Sequence, residues 1–292
     1  MSNVKPPLQL TIIIPILNEE VVLPRALASA KRLGVEVFIL DSGSTDRSLE
    51  IAKEHGCHVT LGQWGSFSEK LNYGLNQLPI KTEWVMRLDA DEYLTEEFIV
   101  NIGPLLDSVG DEVEGIIVRR RFVFLNRWIK HGGMYPLEHM RITRKGKATY
   151  EARILDEHVG VSGGVIRMTG DIVDEDQKGL VNWLSKHVRY AEAQCYMDWN
   201  FAHQSAKSWK TLEGGLKWRR FLKEEIYARS PSFIRPFGFW FYRYILLLGF
   251  LDGKPGFIWH FLHAFWYRYA IDALIYEAQI TKGESVKKSH SC

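Results

Sequence analysis

The stretch LQLTIIIPIL, residues 8–17, decides the fold. It is a β-branched apolar run that ends at Pro15, without alternating polar positions. Such a run suits a strand covered on both faces, as in a parallel sheet flanked by helices. The segments that follow repeat the theme. NEEVVLPRALASAKRLG (18–34) sets Val22, Leu23, Leu27 and Ala30 at helical spacing, and Gly34 stops it. VEVFILD (35–41) is a second buried strand. SGSTDRSLEIAKEHG (42–56) is a turn and a helix, with Ser44 or Thr45 as its cap. CHVTLG (57–62) is a short third strand, and a helix over 66–77 leads to EWVMRLDADEYLTEEF (83–98). That segment begins as a strand at Trp84-Val85-Met86 and then sets out Asp89, Asp91 and Glu92. Helix resumes over 95–109, with Thr95 and Glu97 near its start.

Strands alternating with helices across short links predict an α/β fold with a doubly wound, mostly parallel sheet. In such sheets ligands bind beyond the carboxyl ends of the strands. Polar residues gather there: Asn18 and Glu19, then Asp41, then Asp89 and Asp91. From about residue 113 the pattern changes. EGIIVRRRFVFLNRWI (114–129) and HMRITRKGKATYE (139–151) interleave charge with apolar residues, which predicts a small antiparallel extension. GLVNWLSKHVRYAEAQCYMDW (179–199) is helical by periodicity.

Composition narrows the function classes. At 292 residues the chain can bury a sizeable core, and a formal net charge of +2 carries no nucleic-acid signature. Three scattered cysteines suggest neither a disulfide framework nor a zinc site, and the N-terminus shows no secretory signal. These features predict a cytoplasmic protein. No GxGxxG follows the first strand and no GxxxxGK[ST] occurs, so the dehydrogenase and P-loop readings lose their support. The carboxylate cluster at 89–92 has a bland reading, a solvated turn with helix-capping acids. It also has a functional one, a site for a hard divalent cation, with Asp89 and Asp91 sharing an orientation if their link is extended.

TIIIPILNEE, VFILDSGSTDRSLEIA and WVMRLDADEYL together resemble the three N-terminal signatures of family 2 glycosyltransferases, in order and in spacing. The resemblance is clearest over 8–110 and looser to about 200. It implies a GT-A fold, a nucleotide-sugar donor, most often UDP-linked, and a Mg²⁺ or Mn²⁺ cofactor. It also implies roles. Pro15, Leu17 and Glu19 would line the nucleotide pocket, and Asp41 would accept from the base. Asp89 and Asp91 match the DxD, the second Asp being the usual metal ligand, and Ala90 would let the backbone approach the ribose. Lys70 falls where the family often has a basic residue near the nucleotide; a solvated helix lysine is the plainer reading. The catalytic base would lie in ARILDEHVGVSG (152–163), with Glu157 favoured and Asp156 next; a polar strand end is the alternative.

Lys186 and Arg189, in NWLSKHVRYAEAQ, resemble a KHxRY element of the branch acting on lipid-linked or lipopolysaccharide acceptors. They would grip the diphosphate, or else be solvated basic residues on an amphipathic helix. The QxxRW of processive synthases is absent, so transfer of one sugar per encounter is expected. Residues 1–230 are expected to form the catalytic domain, with its donor half at 8–110 and its acceptor half at 111–200. Residues 231–292 then form an aromatic helical segment. Neither apolar run in that segment is a good transmembrane span. Its helices suit an anionic membrane interface, or pack on the catalytic domain and bury their aromatics there. The whole describes an inverting, metal-dependent transferase of envelope polysaccharide biosynthesis, peripheral on the inner face of the cell membrane. It would act on a glycan or lipid-linked acceptor, and nucleic acid is not a partner. A non-catalytic membrane-peripheral scaffold is the alternative. A haloacid-dehalogenase-like phosphatase is disfavoured, because its aspartate pair belongs on the first strand of the core.

Overall fold

The computed structural model describes residues 7–151, 159–201, 227 and 229–281. The chain divides into two compact units. The first comprises residues up to Lys130 and Met134–Gly179, and the second His131–Gly133 with Leu180 onward. The division falls at Gly179, not near residue 230, because the long helix beginning at Leu180 packs with the C-terminal helices.

The first unit is the α/β fold. β1 (Leu10–Ile16), β2 (Glu36–Asp41), β3 (His58–Leu61) and β4 (Trp84–Arg87) pair in parallel in the order β3-β2-β1-β4. The sheet continues through β8 (Leu137–Arg144), β6 (Val113–Phe124), β11 (Gly164–Asp174) and the short β5 (Glu92–Leu94). β8 is antiparallel to both β4 and β6, as the interleaved charges predicted. β6 and β11, however, run parallel, and β11 is a strand that residue pattern alone does not announce. β7 (Arg127–Trp128) hairpins onto β6, and β9 (Ala148–Tyr150) pairs with β10 (Val159–Val161) in a separate two-stranded sheet.

Strand periodicity sorts the core between two faces. Ile12, Ile14 and Ile16 pack with Ile39 against Leu23 and Leu27 of α1 (Leu23–Lys31), Ile51 of α2 (Ser48–Glu54) and Phe98 of α4 (Glu96–Ser108). Ile13, Phe38, Leu40 and Val85 face the other way, the side covered by α3 (Phe67–Gln77). The strand does not stop at Pro15. It runs through Ile16, with Pro15 opposite Leu40 of β2. Pairing with β4 has already ended at Ile13–Arg87, so the prolyl nitrogen sits where β1 is paired on one side only.

Local chemistry sets the helix starts. α1 begins at Leu23, later than periodicity suggests, because Pro24 belongs in a first helical turn and Asn18 turns the chain with φ +57°. α2 starts at Ser48 with Arg47 as N-cap, so neither Ser44 nor Thr45 caps it. Thr95 does cap α4, accepting from the Phe98 amide at 3.2 Å.

The second unit is helical: α5 (Leu180–Phe201), α6 (Arg235–Phe241), α7 (Gly253–Trp259) and α8 (Tyr267–Ile280), with π turns at Tyr242–Leu246 and His260–Trp266. Trp183 of α5 meets Trp259 edge-on at 5.5 Å, and Tyr267 and Ile271 pack around Ala191.

Candidate active site

Two sequence signatures meet as interlocked loops. The loop after β1 and the loop after β2 exchange hydrogen bonds along their lengths. Asn18 N donates to Ser44 Oγ at 2.9 Å, Glu19 N to Ser48 Oγ at 2.8 Å and Glu20 N to Asp46 Oδ2 at 3.0 Å. In return Thr45 N donates to Asn18 Oδ1 at 2.8 Å and Arg47 N to Glu20 Oε2 at 3.1 Å. Most polar letters of NEE and DSGSTDRS are therefore consumed in making one rigid rim at the carboxyl ends of β1 and β2.

Asp41 ends β2 fully buried. Its carboxylate accepts from the Gly43 amide at 3.0 Å, from the Ser44 amide at 2.9 Å and from the Ser44 hydroxyl. Through these bonds its oxygens shape the Ser42–Ser44 turn. The turn, with Leu61, Gly62 and Gln63, lines an open hollow of about 290 Å³. Leu17 is exposed beside the rim, while Pro15 is buried beneath it.

Lys70 is not a solvated helix lysine. It is 4% exposed, and its ammonium donates to Ile16 O and Ser42 Oγ, both at 2.8 Å. It thereby ties the ends of β1 and β2 together, with the Trp64 ring 5.3 Å away. Burial lowers its pKa to about 8, against the pull of Asp41 and Glu19. Glu19 pairs with Lys178 at 2.6 Å, and Lys178 also donates to Asn18 O at 2.9 Å. Lys178 was missed by sequence reading because 160 residues separate it from Asn18.

The carboxylates after β4 also find partners within the protein. Residues 89–91 form a turn, closed by Glu92 N donating to Asp89 O at 2.9 Å, so the shared orientation expected of an extended link does not arise. Arg87 grips both oxygens of Asp89, at 2.7 and 3.1 Å, and Arg141 reaches Asp89 at 3.0 Å. Arg141 also pairs with Glu92, which is 1% exposed and accepts from the Asp89 amide at 3.0 Å. Burial opposes ionisation of Asp89, but Arg141 and Arg87 outweigh it and hold that carboxyl well below the usual range. Burial pushes Glu92 the other way, upward, against the pull of Arg141. His139, enclosed near Arg120 and Arg141, has its pKa lowered to about 3 by burial first and by those cations second, and is neutral. Arg120, Arg141 and His139 were not anticipated, because their nearness to this cluster depends on the pairing of β4 with β8 and of β8 with β6; Arg87 was also missed, though it stands only two residues before Asp89.

A divalent cation is the cofactor the sequence resemblance implies, and the donor chemistry fits it in part. Among the described residues no group of three or more His, Cys, Asp or Glu is gathered as a protein-only metal site requires. Asp89, expected as a metal ligand, has its oxygens engaged by the Arg87 and Arg141 guanidinium groups and supports the turn. Asp91, half-buried on that turn, is the carboxylate suited to hold a cation together with substrate oxygens. Ala90 points into the main core. Glu157 and Asp156 lie outside the described residues. Lys186 and Arg189 are carried by α5 in the second unit, where Lys186 sits 5.9 Å from the Tyr190 ring.

An α/β unit with acids and a buried lysine collected at the carboxyl ends of its parallel strands has its polar groups where such sheets bind ligands. Comparison with known proteins supplies the family. The profile of Glycosyl transferase family 2 matches residues 11–169, more than half of the chain, and the protein belongs to that family. An uncharacterised glycosyltransferase of Rickettsia bellii is 32% identical over 80 residues, covering 27% of this chain and 26% of that protein. One of Mycobacterium bovis is 30% identical over 118 residues, covering 40% of this chain and 51% of that protein. The matches thus span between a quarter and a half of these relatives. A crystal structure of glucosyl-3-phosphoglycerate synthase from Mycobacterium tuberculosis, with Mn²⁺, UDP and glucosyl-3-phosphoglycerate, is 24% identical. It covers 40% of this chain and 44% of that one, with a TM-score of 0.31.

Proposed function

We propose that this family 2 glycosyltransferase moves one sugar, with inversion, from a UDP-sugar to a hydroxyl of a glycan or lipid-linked acceptor in envelope polysaccharide assembly. The observation that carries the reading is the rim built by Asn18, Glu19 and the Ser42–Ser44 turn, standing beside the hollow that Gly62 and Gln63 complete. A nucleoside fits a hollow at the end of β2 and β3, the position ligands take in such sheets. Asp91 would hold a Mg²⁺ or Mn²⁺ ion, which would offset charge on the departing diphosphate. Lys70 keeps the two loops in register, and Lys178 holds Glu19. Glu157 is the proposed base that takes the acceptor proton during attack on the anomeric carbon. Lys186 and Arg189 are proposed to steady anionic groups of the substrates. A peripheral position on the inner face of the cell membrane would bring the enzyme to such acceptors, and the basic, aromatic C-terminal sequence supports it.

The test is a donor screen. The protein is incubated with Mn²⁺ or Mg²⁺ and a panel of UDP-, GDP- and dTDP-sugars, and nucleotide release is followed with and without chelator. Chelator-sensitive release from a UDP-sugar is the expected result; release that ignores the chelator rejects the role of Asp91. Glu157→Gln is expected to abolish transfer while nucleotide binding, read by thermal shift, persists. Near-normal turnover in that variant rejects Glu157 as the base.

A further inference from the structure

Polarity in the second unit is turned inside out. Asp252 and Asp272 are 1% and 2% exposed, whereas Leu246, Leu248, Phe250 and Leu251 are 61%, 47%, 43% and 49% exposed. The inward carboxylates are hydrogen-bonded locally. Asp252 accepts from the His131 amide at 2.8 Å and lies 2.7 Å from His131 Nδ1. Asp272 accepts from Arg235 Nε at 2.9 Å and from the Phe233 amide at 2.9 Å. The exposed apolar residues cluster where the chain bends. Arg235–Leu246 and Gly249–Ile280 meet at 70°, and from Tyr244 to Leu251 no residue carries charge. Among the described residues no single helix is long and apolar enough to cross a membrane.

Several backbone groups at the bend are paired within the protein. Leu247 N donates to Tyr242 O at 2.9 Å, Leu248 N to Ile245 O at 3.1 Å and Leu251 N to Leu248 O at 3.0 Å, while Gly132 N donates to Leu247 O at 2.8 Å. Irregular backbone enters hydrocarbon only when its polar groups are satisfied from within. These bonds serve that requirement at the bend.

We infer that the Leu246–Leu251 bend is a docking wedge that inserts into one leaflet of an anionic bilayer. The inference deepens the membrane-surface reading above and rests on it. Three features select lipid as the occupant. The apolar residues sit on the tip of a bend, which presents a wedge and not a groove for another protein to fill. Exposed Lys254 follows the tip closely, where a long cationic side chain reaches headgroups while its neighbours enter the acyl region. The sequence from Lys217 to Arg229 carries five basic residues against two acidic ones, complementary to anionic headgroups.

The test uses the full-length protein and co-sedimentation with vesicles of phosphatidylglycerol and phosphatidylcholine. The double variant Leu246→Ser/Leu251→Ser is expected to bind roughly a hundredfold more weakly than wild type, from the apolar area it withdraws. Val100→Ser, equally exposed in the first unit, is expected to bind as wild type. Matching circular dichroism melts exclude misfolding, and the surviving wild-type binding in high salt separates insertion from surface attraction. Equal binding by the double variant overturns the wedge and leaves membrane association to another element. No binding by wild type overturns both, with the donor screen unaffected. If the substitutions instead abolish a concentration-dependent dimer seen without lipid, the surface belongs to a second copy and the inference fails.

Discussion

Arg141 shows how much of the site is bought by cations that the chain supplies itself. It is 6% exposed and joins Asp89 to Glu92 across the β4–β8 pairing. Removing one partner of a buried pair leaves the other charge uncompensated, which costs about 3–5 kcal/mol. Arg141→Met is expected to lose that much in urea denaturation, and adding Glu92→Leu should restore a large part of it. Lys70 gives a pH-dependent prediction. Its folded-state pKa of about 8 lies below the ordinary 10.5. Below pH 8 the folded and unfolded chains both carry the proton, and the cost of burying the ammonium is fully present. Between about 8 and 10.5 the unfolded chain binds more protons, so this group's contribution raises stability with pH, by at most ~3 kcal/mol. Comparing wild type with Lys70→Met across that window isolates the effect. A difference that stays flat, or falls as pH rises, contradicts the burial of the charge.

At the scale of elements, β11 explains how the mixed half of the sheet acquires its far edge. It pairs with β6 in parallel and with β5 antiparallel, and its register slips between Arg167 and Asp171. Gly170 lies in that slip with φ +116°, and a Cβ there would stand 2.6 Å from the backbone N and Cα of Phe98 in α4. Both the conformation and the space demand glycine. Gly170→Ala is expected to destabilise the first unit by about 3 kcal/mol or more, because the neighbour is helix backbone and cannot rotate aside. A thermal melt unchanged from wild type contradicts this packing. The slip also helps explain why β11 was not legible beforehand: its pairing is interrupted at Gly170, and glycine inside a run reads against a strand.

For the whole molecule, the two units have separate cores, one sandwiched on a sheet and one built from α5 and the terminal helices. Separate cores predict two transitions in calorimetry where a single domain gives one. UDP with Mn²⁺ is expected to raise the first unit's transition, by about 2.7 kcal/mol of stability at a hundred times the dissociation constant. A single transition rejects independent units, and a first transition that does not rise places the nucleotide elsewhere.

The order of strands and helices through residue 110, the strand ends where polar residues collect and the family itself were all readable along the chain. Those properties depend on local periodicity and on motif order, which a linear sequence carries directly. Tertiary structure decided what the motif residues do. Asp41 shapes a turn, Asp89 answers to Arg87 and Arg141, and Lys70 is buried as a tie between two strands. It also decided that α5 belongs with the C-terminal helices and that Asp252 and Asp272 turn inward while leucines face out. The physical reason is common to all of these. Burial and charge pairing are set by residues far apart in the chain, as when the pairing of β4 with β8 brings Arg141 onto Asp89, 52 positions away.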